Sequence, residues 1–188
     1  MEGGSHMKRF RSLKWLLVLC LMLVCCAEKP CLNKDLIIND FEIDGDLDRL
    51  NWKCHTLFSL SNQGVSHGRS SLKMIMTPSP YPGVSFDEIP KDWRCFSGIA
   101  VSFFNPGAKD VRLALRIDDR EDAPEYEDRV NLGFNVGPGM NRIRIPLESM
   151  ICPSGRVLDL RHIFSVTFFC VKPESEVVLY VDDLRLVY

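Results

Sequence analysis

Between positions 116 and 131 the chain concentrates guanidinium, carboxylate and amide side chains: Arg116, Asp118, Asp119, Arg120, Glu121, Asp122, Glu125, Glu127, Asp128, Arg129 and Asn131, with Tyr126 among them. Arginine and carboxylate groups at this density can grip vicinal hydroxyls through paired hydrogen bonds, or grip one another in the same geometry. Mutual pairing is the plainer use, and exposed pairs contribute little stability. Recognition of a pyranose also needs a flat aromatic surface for the apolar face of the ring. Trp52, Tyr81, Trp93 and Tyr126 fall in or beside loops, where function concentrates, whereas Phe103, Phe134 and Phe168 lie in strand patterns and read as core. Each loop aromatic has a core or lid alternative; Trp93, after Pro90-Lys91-Asp92, also reads as a plug at one end of the fold. The candidate ligand-binding set is therefore Trp52, Tyr81, Trp93, Arg116, Asp118, Tyr126, Arg129 and Asn131.

Catalysis finds little support. No Gly-x-Ser-x-Gly, His-Glu-x-x-His or phosphate-cradling glycine loop occurs, and His55, His67 and His162 have no recognisable partners. A glycosidase needs two carboxylates at a defined separation, and density of acids does not supply placement. The expectation is a domain that is not an enzyme.

A second group of acids lies far apart in the chain: Asn39-Asp40-Phe41-Glu42 near one end of the patterned region and Tyr180-Val181-Asp182-Asp183-Leu184 near the other. If Val178 to Tyr188 is one uninterrupted strand, Asp182 shares a face with Leu184 and Leu186, because side chains alternate with a period of two. A carboxylate on an apolar face must be hydrogen-bonded or bound to a cation.

The elements that would position these residues are strands. Turn-rich breaks recur about every ten residues, as in a sandwich or barrel. Predicted strands are Leu36 to Ile43, Thr56 to Ser61, Ser71 to Thr77, Gly83 to Phe86, Gly98 to Asn105, Val111 to Asp118, Val130 to Val136, Asn141 to Leu147, Phe164 to Val171 and Val177 to Tyr188. Alternation is clearest in Val111, Leu113, Leu115 and Ile117, which oppose Arg112, Arg116 and Asp118, and in Leu132, Phe134 and Val136 against Asn131, Gly133 and Asn135. It recurs in Ile143, Ile145 and Leu147 against Arg142 and Arg144. Only Leu158 to Ile163 suggests a short helical turn, with Asp159 as its cap.

Residues 1–6 read as an added tag ahead of a natural Met7, and residues 7–26 as a signal peptide. Lys8, Arg9, Arg11 and Lys14 form its basic region, and Trp15 to Val24 an apolar stretch of about ten residues, too short to span a bilayer. Leu23-Val24-Cys25-Cys26 resembles a bacterial lipobox with Cys26 as the lipidated residue, although Cys25 stands where Gly, Ala or Ser is usual; cleavage after Ala27 is the alternative. Export, and anchoring in a bacterial cell envelope through the lipid, follow as expectations. Residues 27–35 read as a tether and residues 36–188 as one β-sandwich domain.

The whole sequence holds 23 basic and 25 acidic residues; without the four basic residues and one acidic residue of positions 1–26, 19 remain against 24. That mildly acidic balance argues against a nucleic-acid partner. Beyond Cys26, the cysteines Cys31, Cys54, Cys95, Cys152 and Cys170 are odd in number, so one at least is unpaired within the monomer, and none lies in a Cys-x-x-Cys arrangement.

The opening Asp40-Phe41-Glu42, the run Ser66-His67-Gly68-Arg69-Ser70-Ser71-Leu72-Lys73, Pro138-Gly139-Met140-Asn141-Arg142-Ile143-Arg144-Ile145-Pro146-Leu147 and the closing Asp182-Asp183-Leu184-Arg185-Leu186 together resemble carbohydrate-binding jelly-roll modules of the galactose-binding-like class. The run from Leu115 to Arg120 and on through Asp128-Arg129 is similar to the extracytoplasmic domain that follows VanZ-like membrane regions; complex I intermediate-associated proteins look similar more distantly. The resemblance implies an all-β, antiparallel jelly-roll sandwich that binds a carbohydrate or, alternatively, assembles with another envelope protein. It also implies a structural calcium ion held by Glu42 and Asp182, which suits calcium's tolerance of loose oxygen geometry. Without a metal, the same two residues would cap backbone amides or pair with Arg69 or Arg185.

Overall fold

The computed structural model describes residue 31, residues 33–51 and residues 54–188; the leader, Cys26 and Trp52 lie outside the described residues. Among the described residues ten strands follow one another: β1 (Leu36–Asn39), β2 (Thr56–Ser61), β3 (Ser71–Met76), β4 (Gly83–Phe86), β5 (Gly98–Asn105), β6 (Val111–Asp118), β7 (Val130–Val136), β8 (Gly139–Pro146), β9 (Ser165–Cys170) and β10 (Val177–Val187). They form two antiparallel sheets. The larger runs β2-β3-β10-β5-β8 with β1 added beside β10, and the smaller runs β4-β9-β6-β7. The architecture is an all-β jelly-roll sandwich.

The alternating apolar residues face inward and meet between the sheets. Leu72, Met74 and Met76 of β3, Ile99, Val101 and Phe103 of β5 and Leu179 and Val181 of β10 are buried on one side. Opposite them lie Leu113, Leu115 and Ile117 of β6 with Val166, Phe168 and Cys170 of β9. Phe168 joins the layers: its ring stands edge-on to Phe103 at 5.4 Å and to Phe86 at 6.4 Å, distances in the range that aromatic pairs prefer. Burial pushes the Cys170 thiol up to about 11, so it behaves as a small apolar residue. Cys54, Cys152 and Cys170 are free thiols and Cys95 is disulfide-bonded.

Two expectations need correction. The first strand stops at Asn39 instead of reaching Ile43, because Phe41 turns to a φ of 56° and its N–H is taken by the Asn39 side chain. A bulky residue seldom adopts that conformation; burial of its ring against Phe86 holds it there. The closing strand is continuous but carries a bulge. Pairing with β5 goes from Asp182↔Ser102 to Arg185↔Ala100, so one extra residue is accommodated, and Asp183 has a φ of 55°. The bulge shifts the alternation by one position: Leu179 and Val181, then Leu184 and Leu186, face the core, while Asp182 points outward beside Tyr180. The segment after Leu158 makes a single turn, capped as expected, with the Arg161 N–H on the Asp159 carboxylate at 3.0 Å and the His162 N–H on the Asp159 carbonyl at 3.0 Å.

Candidate functional site

The outer face of the smaller sheet is the floor of a groove of about 680 Å³. Cross-strand register sets its layout. Ser85, Thr167, Arg116 and Asn131 form one row across β4, β9, β6 and β7, and Gly83, Phe169, Ala114 and Gly133 form the next. A third row begins with Ser165 beside Asp118. The row of Gly83, Phe169, Ala114 and Gly133 is a trough, since three of its four residues are Gly or Ala and only Phe169 offers a ring. Tyr81 precedes β4 and Tyr126 precedes β7, so the two stand at opposite edges of the sheet, 48% and 56% exposed. The Tyr81 ring meets Phe169 edge-on at 5.8 Å, and the Tyr126 ring lies 5.9 Å from the Arg129 guanidinium.

Six of the predicted ligand-binding residues thus line one groove: Tyr81, Arg116, Asp118, Tyr126, Arg129 and Asn131. Trp93 does not. It is 0% exposed, its indole N–H bonded to the Pro90 carbonyl at 2.7 Å, and it plugs the core, because a ring of that size near the sandwich end gains more from burial than from exposure. Arg116 and Asp118 pair with each other, Arg116 Nε reaching the two carboxylate oxygens at 2.9 and 2.8 Å, while the Ser165 hydroxyl donates to Asp118 Oδ2 at 3.1 Å. Asn131 Nδ2 donates to the Tyr126 and Arg129 carbonyls, both at 3.2 Å, which fastens the loop to the strand.

Arg156 went unnoticed in the sequence. It reaches from the loop after residue 151 and donates to both Asp119 oxygens at 2.6 and 2.9 Å, to the Asp128 carboxylate, and to the Asp128 carbonyl at 2.7 Å. Arg120 adds Asp128 and Asp122, at 2.6 and 2.7 Å. Much of the acidic loop is therefore knitted into a charge network that holds the Tyr126 wall. Burial alone would raise Asp119, but Arg156 and the Asp159 amide together bring it below the usual carboxylate range. No sequence pattern linked these distant positions. Thr167 and Phe169 were also missed, although the alternation of Val166, Phe168 and Cys170 inward leaves them on the outer face.

Asp182 and Glu42 meet the 62–70 loop instead of the groove. Asp182, 0% exposed, accepts the Ser66 N–H at 2.6 Å, the Ser66 hydroxyl at 3.1 Å and the His67 N–H at 2.8 Å on Oδ2, and the Asp183 N–H at 2.7 Å on Oδ1. Burial raises its pKa against the pull of those amides. Glu42 Oε1 accepts the Arg69 and Ser70 N–H groups at 2.7 and 2.9 Å, and these two bonds hold its pKa below the usual range. Calcium needs several oxygen lone pairs, and the four donors on Asp182 occupy about as many as a carboxylate has. Among the described residues no three His, Cys, Asp or Glu side chains converge on a metal-sized site. As arranged, the two carboxylates cap backbone amides of the 62–70 loop.

No family model and no curated protein matches the sequence. Solved structures do. A family 11 carbohydrate-binding module from Clostridium thermocellum, in complex with a β-1,3-1,4-mixed-linked tetrasaccharide, superposes with a TM-score of 0.64 at 16% identity over 81% of this chain and 95% of its own. The chain has the fold of these modules. A CBM22-1 xylan-binding domain from Paenibacillus barcinonensis aligns with a TM-score of 0.55 at 12% identity, over 85% of this chain and 97% of its own. An exo-β-agarase aligns with a TM-score of 0.64 at 16% identity over 79% of this chain but only 24% of its own length.

Proposed function

We propose that this chain is a non-catalytic carbohydrate-binding domain whose ligand, a glycan chain, lies in the groove on the outer face of β4, β9, β6 and β7. The observation that carries the reading is the pairing of two exposed rings, Tyr81 and Tyr126, at opposite edges of a trough floored by Ala114, Gly133 and Phe169. Sugar rings stack on such aromatics, while the polar row of Ser85, Thr167 and Asn131 offers hydroxyl and amide partners. Structural likeness to modules solved with, or named for, polysaccharides supports the same choice. Asp119, Asp122 and Asp128 of the acidic loop are committed to Arg120 and Arg156, which favours a holding role for these acids over glycoside cleavage.

The basic and apolar segment ahead of Cys26 supports export with a lipid anchor, and the likeness of residues 115–129 to the domain that follows VanZ-like membrane regions fits a cell-envelope setting. A glycan array probed with the folded chain tests the binding reading: retention of defined oligosaccharides, lost on Tyr126→Ala, is expected, and silence across a broad array sinks it. Loss of labelled fatty acid on Cys26→Ser in a bacterial host tests the anchor.

A further inference from the structure

Resting on the reading of the groove as a glycan site, we infer that its glycan is acidic, a chain whose hexuronate carboxylate docks against Arg112 and Arg129 on the β6–β7 side.

The inference comes from an uneven distribution of charge across the groove. Arg116 is matched by Asp118, and Arg120 by Asp122 and Asp128. Arg112 and Arg129 are not matched: among the described residues neither forms an ion pair, although each lines the groove. Arg112 stands opposite Asn135 and folds toward Gly133, where an added Cβ would lie 3.4 Å from Nη2 and 3.7 Å from Nε. The glycine therefore leaves room for a guanidinium to cross the floor of the trough. Arg129 is half-buried. Its Nε is shut off from water with no acceptor, and Nη1 reaches only the Pro124 carbonyl, at 3.4 Å. Burial and the neighbouring Arg116 push its pKa below the usual arginine value, against the pull of Asp118, Glu125 and Tyr126.

Among the described residues no carboxylate lining the groove forms an ion pair with either guanidinium. Asp118 is engaged by Arg116 and Ser165, and Glu121 lies in the loop after β6. Asp87, bonded to the Asn51 amide, follows β4 at the opposite edge of the sheet from β7. Two unmatched guanidiniums thus stand on the β6–β7 side of the groove, and the Asp87 carboxylate stands at the far edge. Arg129 is partly desolvated and lacks an anionic partner, which is costly, and a planar carboxylate matches the guanidinium fork with two parallel hydrogen bonds. A neutral hydroxyl would leave the charge uncompensated.

The test uses the full chain on an array carrying oligoglucuronates, oligogalacturonates and alginate oligomers, each beside its carboxyl-reduced counterpart, with sulfated galactans, neutral glucans and xylans alongside. Hits are then titrated calorimetrically at about 50 and about 500 mM salt, across which an exposed charge contact is strongly screened. The expected result is retention of a uronate chain, weakened about tenfold or more by carboxyl reduction and by Arg112→Gln or Arg129→Gln, the scale of one charge-assisted contact. Arg112 is exposed, so Arg112→Gln keeps the test decisive even if Arg129→Gln does not fold. Tight binding to a neutral chain, unchanged by Arg112→Gln, would overturn the acidic preference and leave the glycan reading standing. Retention of sulfated galactans without uronates would overturn the carboxylate assignment. No binding to any glycan by a folded protein would overturn both readings.

Discussion

Arg156 holds Asp119 from 37 positions away, Nη1 on Oδ2 at 2.6 Å and Nη2 on Oδ1 at 2.9 Å, and Asp119 is almost wholly enclosed. The carboxylate is also bonded by the Asp159 N–H at 2.7 Å, so one residue ties together the loop after β6 and the segment before β9. Removing the guanidinium would strand a buried charge. Arg156→Met should lower stability by about 2–4 kcal/mol, the usual cost of breaking a buried pair reduced for the partial exposure of Arg156, as read by urea unfolding.

The same pair sets an acid limit. Asp119 titrates below the usual carboxylate range in the folded protein, so its contribution is present above the unfolded pKa of about 4 and is lost as pH falls through the lower folded value. Unfolding curves from pH 6 down to about pH 2 should show a steeper acid loss in the native protein than in Arg156→Met. Parallel curves would remove Asp119 from the account.

Asp182→Ala leaves the Ser66 and His67 amides without their acceptor and should cost about 2–4 kcal/mol. Because the geometry is that of an amide cap, the fall in melting temperature should be equal in calcium and in chelator. A larger fall in calcium would return the ion to Glu42 and Asp182.

Gly68 has a φ of 69°, and a Cβ there would sit 2.3 Å from the Glu42 carboxyl carbon. Gly68→Ala should therefore displace Glu42 from the Arg69 and Ser70 amides and add backbone strain of about 1 kcal/mol. A double-mutant cycle with Glu42→Gln should show coupling; strictly additive losses would mean the contact is unimportant.

Tyr81→Ala and Tyr126→Ala should each weaken glycan binding about tenfold while the thermal transition stays put, as expected for exposed stacking rings. Trp93→Ala should instead destabilise by about 3–5 kcal/mol, the cost of a cavity in the core. A Trp93 variant that folds normally but binds no glycan would reverse these roles.

The strands were legible where one face is apolar and the other charged. β6 announces itself through Leu113, Leu115 and Ile117 against Arg112 and Arg116, and its pairing with β7 carries Arg116 to Asn131 as the alternation requires. The bulge at Asp183 was not legible, since two adjacent aspartates give no sign of where the phase slips. Nor could a loop aromatic's fate be read from its neighbours: Tyr126 and Trp93 both follow a proline-containing polar segment, yet one is exposed and the other enclosed. Arg156 was invisible because its partners become neighbours only through tertiary folding.

β10 sits in the middle of the larger sheet, paired to β5 along one side and to both β3 and β1 along the other. The β2–β3 hairpin and the β5–β8 pair have no ladder of their own between them, so neither can join the other until residues 177–187 are in place. During synthesis the two halves must wait as open-edged ribbons while more than seventy positions separating β5 from β10 are made. Assembly dominated by such distant pairings is slow, and unpaired strand edges invite aggregation in the meantime.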